Sequence, residues 1–153
     1  MKQRILAIAA GSILAASAAF VATHEGYVPV TYADPVGIAT SCFGHVGPEN
    51  TPGRRFTRAE CESLLEVDLH VARQAVRTCI HVPLTPGQEV ALTSFAFNTG
   101  RATLCRSTLA RMANAGEPSF KWCAQLERFV YAKGRKLPGL VRRRAEERQL
   151  CDS

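Results

Sequence analysis

The spacing of apolar and polar positions changes character along the chain. From Ile5 to Ala22 an unbroken run of eighteen residues carries no charge, behind Lys2 and Arg4. Such a run reads as a secretory signal or a short membrane span. Its makeup is weak for a permanent anchor, since eight of the eighteen are alanine, seven are large and apolar, and Gly11, Ser12 and Ser17 interrupt them. Ala16-Ser17-Ala18 offers an A-x-A cleavage pattern, so removal and retention of the segment both stay open. From Val28 to Phe43 β-branched and aromatic residues alternate around Asp34-Pro35 and Gly37, which predicts a small antiparallel hairpin or three-stranded sheet.

Beyond the sheet everything reads as helix. Thr57 and Glu60 form a capping box, and Cys61, Leu64, Leu65, Ala72, Val76 and Ile80 then fall on one face, predicting a helix over 58–80. A second start at Thr85-Pro86-Gly87-Gln88 leads into Val90, Leu92, Phe95 and Phe97 and closes near Gly100, which marks a central core helix. Shorter helices are expected from Ser107 to Asn114, from Pro118 to about Val130 and from Pro138 to Leu150, separated by Gly116 and a loop at Gly134. No repeat or low-complexity linker divides the chain.

Composition narrows the class. With 153 residues, 46% hydrophobic and 21% charged, one globular domain with a sizeable core is expected. The formal charge of +6 sits in residues 128–148, where eight Lys and Arg face only Glu146 and Glu147. A basic face of that kind favours polyanions such as nucleic acid, anionic lipid or an acidic wall polymer. Cys42, Cys61, Cys79, Cys105, Cys123 and Cys151 form an even set with no C-x-x-C pair and no cysteine-histidine spacing suited to zinc. They read as disulfides in an oxidising compartment, which agrees with export and counts against nucleic acid as the partner. No metal and no cofactor is called for.

The candidate chemistry lies in one short stretch. Glycoside hydrolysis uses two carboxyl groups, one that donates a proton to the leaving oxygen and one that holds a water or attacks the sugar. Desolvation at the end of an apolar helix favours a neutral carboxyl, whereas a polar turn favours an ionised one. Glu25 and Asp34 stand in those two settings, and the Thr40 hydroxyl is placed to hold the same water. An Asp-Pro turn is more often only a turn, so the spacing by itself is weak.

The wider pattern is more specific. The arrangement E-x8-D-x5-T inside EGYVPVTYADPVGIATSCFGH, followed by TRAECESLLEVDL, ALTSFAFNTG and GLVRRRAEE in that order, closely resembles the phage-type lysozymes, glycoside hydrolase family 24. The resemblance covers about residues 24–151. It implies an α+β, lysozyme-like fold: a small antiparallel β-sheet lobe and a larger all-helical lobe with the active-site cleft between them. It also implies hydrolysis of the β-1,4 bond between N-acetylmuramic acid and N-acetylglucosamine in peptidoglycan, with host cell lysis as the outcome. Glu25 matches the general acid, Asp34 the second carboxylate acting as base in an inverting reaction, and Thr40 the hydroxyl that orients water. Gly44 and His45 match the end of the sheet along the cleft, His45 in a structural role. Phe97, Asn98 and Thr108 fall where the helical lobe faces the sugar chain, and one of Arg142, Arg143 and Arg144 is expected to reach Glu25. The pairs Cys42–Cys61, Cys79–Cys105 and Cys123–Cys151 follow from the same likeness.

The subgroup resembled is the signal-arrest-release endolysins. That likeness implies residues 1–22 as a signal-anchor and release segment and 23–153 as the catalytic domain. The protein is then exported, tethered to the inner membrane through residues 5–22, later periplasmic and monomeric, with peptidoglycan glycan strands as its partner. Low hydrophobicity is what exit from the bilayer requires. The competing class is a non-enzymatic cationic protein that binds the wall or permeabilises membrane through Arg142 to Arg148, and it leaves Glu25, Asp34 and Thr40 without a role.

Overall fold

A computed structural model describes residues 13–153 of the chain. The helix α1 (Ile13–His24) leads into the antiparallel hairpin β1 (Val28–Ala33) and β2 (Ala39–Cys42). Then come α2 (Arg58–Cys79), α3 (Pro86–Thr99), α4 (Arg101–Arg106), α5 (Thr108–Asn114) and α6 (Ser119–Cys123). A 3-10 helix over Ala124–Arg128, the hairpin β3 (Tyr131–Ala132) and β4 (Arg135–Lys136), and α7 (Pro138–Cys151) complete the chain. The uncharged run is described only from Ile13 onward, and its residues 5–12, with the signal-anchor reading they carry, lie outside the described residues. No helix among the described residues is long and apolar enough to cross a membrane.

The Thr57–Glu60 capping box is formed, and the second helix start carries one as well. The Thr57 hydroxyl accepts from the Glu60 amide while the Glu60 carboxylate accepts from the Thr57 amide, and Thr85 and Gln88 repeat the exchange. Each box satisfies amides that a helix start leaves unpaired, which is why α2 and α3 begin where the sequence says. Helix α3 is enclosed by its neighbours, with Gly87, Gln88 and every residue from Val90 to Ala96 buried. Its Leu92 and Phe95, with Leu104, Leu109, Trp122 and Leu126 around them, form the core of the helical lobe. Burying a side chain of that size stabilises by about 1.5–3 kcal/mol. A second cluster of Val21, Phe43, Phe56, Leu65 and Leu69 joins α1, the hairpin and α2.

Of the two forms expected for the sheet, the hairpin is the one formed, two-stranded with an irregular register between Val28 and Tyr32, plus an isolated bridge from Val30 to Arg55. Other elements differ from the sequence reading. The helix expected over 118–130 stops at Cys123, tightens into 3-10 geometry and gives way to a hairpin whose turn holds Lys133 and Gly134 at φ 49° and 73°. Helix α4 was not foreseen, and Gly100, at φ 87°, makes the bend that separates it from α3. On α2 the buried face includes Leu69, Ala75 and Cys79, while Leu64 is only partly covered.

Disulfides join Cys42 to Cys61, Cys79 to Cys105 and Cys123 to Cys151, with Cα atoms 5.1, 4.8 and 5.7 Å apart. They are the pairs the family likeness implied. They tie β2 to α2, α2 to α4, and α6 to α7. The basic run needs a correction, because Arg143 and Arg144 are 3% and 0% exposed and face inward from α7. Of the eight cations counted there, these two belong to the interior.

Candidate active site

Glu25 follows the last residue of α1, and its amide still bonds to the Val21 carbonyl, so the helix fixes where its side chain leaves the backbone. That side chain is 22% exposed and meets α7, where Arg143 Nη1 donates to its Oε1 at 2.5 Å. Its Oε2 faces the end of the hairpin. A Cβ built on Gly44 would stand 3.8 Å from that oxygen, and Gly44 holds φ +80°, a conformation only glycine adopts without strain. Of the three candidate arginines, Arg143 is the one that reaches Glu25. Arg142 is exposed on the outer side of α7, and Arg144 turns inward.

Asp34 organises its own turn. Its Oδ1 accepts from the amides of Val36 and Ile38 at 2.9 and 2.8 Å, while its own amide donates to the Ile38 carbonyl. This local closure is the habit of an aspartate in a turn. Oδ2 accepts no hydrogen bond among the described residues and is the oxygen left to take a proton. Thr40, 5% exposed, lies across the strands from Tyr32 and donates its hydroxyl to the Ile38 carbonyl at 3.0 Å. With its proton committed there, the hydroxyl offers a water an acceptor. Asp34 and Thr40 therefore meet at Ile38, at the turn end of the hairpin, and Glu25 meets Gly44 at the other.

The remaining candidates separate. Gly44 and Phe97 line one open cavity of about 330 Å³ together with Asp68, Ala96 and Gly100, between the hairpin end and the helical lobe. Asn98 is exposed beside it, its side-chain oxygen accepting from Arg144 Nη2 at 2.7 Å. Thr108 opens α5 behind the Ser107 cap and is not among the residues lining that cavity. A larger cavity of about 520 Å³ lies away from these groups, between α1 and α2.

His45 is clamped between carboxylates, Nδ1 at 2.8 Å from Asp68 and Nε2 at 3.0 Å from Glu49. Burial pushes the Asp68 carboxyl above its ordinary range, against the pull of the His45 hydrogen bond. The ring pins the end of β2 onto α2, which is a supporting role beside Gly44.

Sequence reasoning missed what stands behind Arg143. Glu147, fully buried, accepts from the Ser94 hydroxyl at 2.6 Å and contacts both Arg143 and Arg144. Burial pushes its carboxyl up, while Arg144, the Ser94 hydroxyl and Arg143 pull it down. Burial likewise brings the Arg144 guanidinium down to about 10. Arg144 also lies over the Phe95 ring at 5.0 Å. A glutamate inside a basic run was the available signal.

The family model for phage lysozyme matches residues 22–147. The chain belongs to the phage lysozyme family. This phage lysozyme is 42% identical over 121 residues to the SAR-endolysin of Escherichia phage Mu, covering 79% of this chain and 68% of that protein. Among solved structures it is similar to the muramidase domain of SpmX from Asticaccaulis excentricus, with TM-score 0.82, 29% identity and 90% and 95% of the two chains covered. It is similar to the active form of the P1 phage endolysin Lyz, with TM-score 0.79, 28% identity and coverage of 89% and 82%. Against the secreted inactive form of the same P1 enzyme the TM-score is 0.54 at 30% identity, with 66% and 72% covered. The TM-score is thus higher against the active form of that enzyme, and the fold class of this chain is lysozyme-like, α+β.

Proposed function

We propose that this phage lysozyme is an endolysin of the signal-arrest-release type. It is a glycoside hydrolase that cuts the β-1,4 bond between N-acetylmuramic acid and N-acetylglucosamine in peptidoglycan and so lyses the host cell. The observation that carries the reading is Glu25 at the end of α1, held by Arg143 through one oxygen and facing the Gly44 edge of the cleft with the other. In this reading protonated Glu25 donates to the glycosidic oxygen as the bond from that oxygen to the anomeric carbon breaks. A water held by Thr40 forms the new bond to that carbon and gives its proton to Asp34, which is the inverting course. Phe97, Asn98 and Gly44 line the path of the glycan strand in the same reading. Thr108, at the start of α5, is assigned to the same path.

Turbidity loss of purified wall tests this directly. Glu25→Gln should lose at least about a hundredfold in rate, the usual worth of general acid catalysis. Asp34→Asn should also be severe, and Thr40→Ala milder because it removes an acceptor for water. A Glu25→Gln enzyme that clears wall at a comparable rate sinks the assignment and revives the cationic wall-binding class.

We further propose that residues 5–22 tether the exported protein to the inner membrane and then leave it, and that the folded catalytic unit acts in the periplasm as a monomer. What supports this is that the latter half of the uncharged run becomes α1, packed on α2 and α3, with Ile13, Ser17 and Val21 buried. Replacing Gly11, Ser12 and Ser17 with leucine should hold the protein in the membrane fraction and suppress lysis. A mature periplasmic protein beginning at Ala19 would leave an ordinary secreted lysozyme instead.

A further inference from the structure

Glu147 and Arg144 are both fully buried, and the reaction as written uses neither. A charge buried that completely is retained only where its surroundings satisfy it. The hydrogen bonds that Glu147 accepts are all on Oε1 and converge on Arg143, while Oε2 faces Arg144 without a hydrogen bond. Oε1 accepts from the Ser94 hydroxyl at 2.6 Å and from Arg143 Nε at 3.2 Å, and Oε2 lies 3.1 Å from Arg144 Nη1. The Ser94 oxygen in turn accepts from Arg143 Nε at 3.3 Å and Nη2 at 3.2 Å, and the Ser94 carbonyl accepts from Nη2 at 3.3 Å. Two of the three guanidinium nitrogens are therefore committed to α3 and α7, and Nη1 is the one directed at Glu25. A guanidinium is planar and rigid, so fixing two nitrogens fixes the direction of the third.

We propose that Glu147, acting with Ser94, is a positioning residue for the general acid. It locks Arg143 so that Nη1 occupies Oε1 of Glu25 and leaves Oε2, on the Gly44 side, as the oxygen that carries the transferred proton. A guanidinium has no acceptor and does not give up its proton, so Arg143 cannot relay one through Oε1. The arrangement thus selects one of two chemically equivalent oxygens.

Glu147 also sets the charge around the acid. Glu25 is faced by Arg143 from α7, with Arg144 behind it, and by Gly44 at the end of the hairpin, while Ser94 of α3 meets Arg143 rather than Glu25 itself. His24 precedes it in the chain and contacts Glu146 of α7 at 3.1 Å. Glu147 offsets one of the two arginines. With its charge removed, the positive charge of Arg143 and Arg144 beside Glu25 is no longer offset, and the pH profile of the rate is where that change is read.

The inference rests on Glu25 being the general acid, and the experiment separates the two. Rates on solubilised glycan strands are measured across pH for wild type, Glu147→Gln, Glu147→Asp, Ser94→Ala and Glu25→Gln, each normalised to folded protein by near-UV circular dichroism. For Glu147→Gln we expect kcat lower by roughly tenfold to a hundredfold, the scale of a misplaced catalytic group, with KM little changed. The alkaline limb of its pH profile should move to lower pH, and Glu147→Asp should recover part of both effects. Unchanged kcat and an unmoved alkaline limb in folded Glu147→Gln overturn the proposal. If Glu147→Gln does not fold, Ser94→Ala, which keeps both charges and removes the bridge, must lower kcat without raising KM, and a wild-type kcat there overturns it equally. Activity surviving in Glu25→Gln would show that the acid assignment itself had failed.

Discussion

Every disulfide of the described chain lies in the body of the fold, and none reaches α1. Helix α1 is held by three buried side chains at four-residue spacing, Ile13, Ser17 and Val21, and at its end by the ion pair of Glu25 with Arg143 and a contact of His24 with Glu146. One flank is incompletely filled, since Ala15, Ala18, Ala19 and Ala22 line the cavity of about 520 Å³ against Phe43 and Leu65. The body, by contrast, packs α3 on almost all sides and adds three covalent ties. The element that delivers Glu25 is therefore attached to the body by reversible contacts alone. Docking of α1 and folding of the body are separable events in such a structure, and activity should report the first while thermal melting reports mainly the second.

The widest separation should come from reducing agent. Each bridge closes a loop of 19 to 28 residues, and a loop of that size is worth roughly 3 kcal/mol in the chain-entropy model. Three such losses approach the whole stability of a domain, about 5–15 kcal/mol. Reduction should unfold the body cooperatively at temperatures where the oxidised protein is native, as followed by far-UV circular dichroism. A reduced protein that melts within a few degrees of the oxidised one would remove the contrast.

Smaller and opposite effects are expected within α1. Val21 is 0% exposed and the only large α1 side chain in the second core cluster's buried set, so Val21→Ala should weaken docking by roughly 2 kcal/mol. Activity should then fall at temperatures where the body remains folded. Ser17 is equally buried, and its hydroxyl finds no hydrogen-bond partner among the described residues. Ser17→Ala removes that unsatisfied group and supplies a better helix former, which should strengthen docking by about 1 kcal/mol. The two variants should move the temperature at which activity is lost in opposite directions while the body's melting stays nearly fixed. If both move the body's melting equally, α1 is part of the same cooperative unit.

How much of this was legible in the sequence follows from the range of each interaction. Thr57, Glu60, Thr85 and Gln88 act within one helical turn, so α2 and α3 could be placed from local pattern alone. The Asp34 turn is local in the same way. The hairpin at 131–136 leaves almost no alternation to detect, because its strands are two residues each and its turn is set by Lys133 and Gly134. Helix α4 was hidden by its brevity, six residues after a glycine. The inward turn of Arg143 depends on Ser94, a serine on a different helix and 53 positions before Glu147, and that of Arg144 on Asn98 and the Phe95 ring of the same helix. A run of cations looks like a surface until a distant partner for it is known.

The smallest effect concerns pH and the far end of the same docking contact. The His24 side chain is 5% exposed, and burial holds its imidazole below the ordinary value of 6.5. Glu146 pulls upward, and Arg143 and Arg142 of α7 push downward, with the Phe20 ring 4.9 Å away on α1 itself. The end of a helix also favours a cation, yet desolvation and the two arginines prevail. Because the folded state binds its proton less readily than the unfolded one, the neutral ring's contribution to docking is fully present above about 6.5, the unfolded value, and is lost as pH falls through the lower folded value. Activity of the wild type should therefore become less heat-resistant between neutral and mildly acidic pH. His24→Gln, which stays neutral throughout, should lose that part of the dependence and keep the part due to other groups. Equal acid sensitivity in the two proteins would show that the end of α1 is secured by Arg143 and Val21 alone.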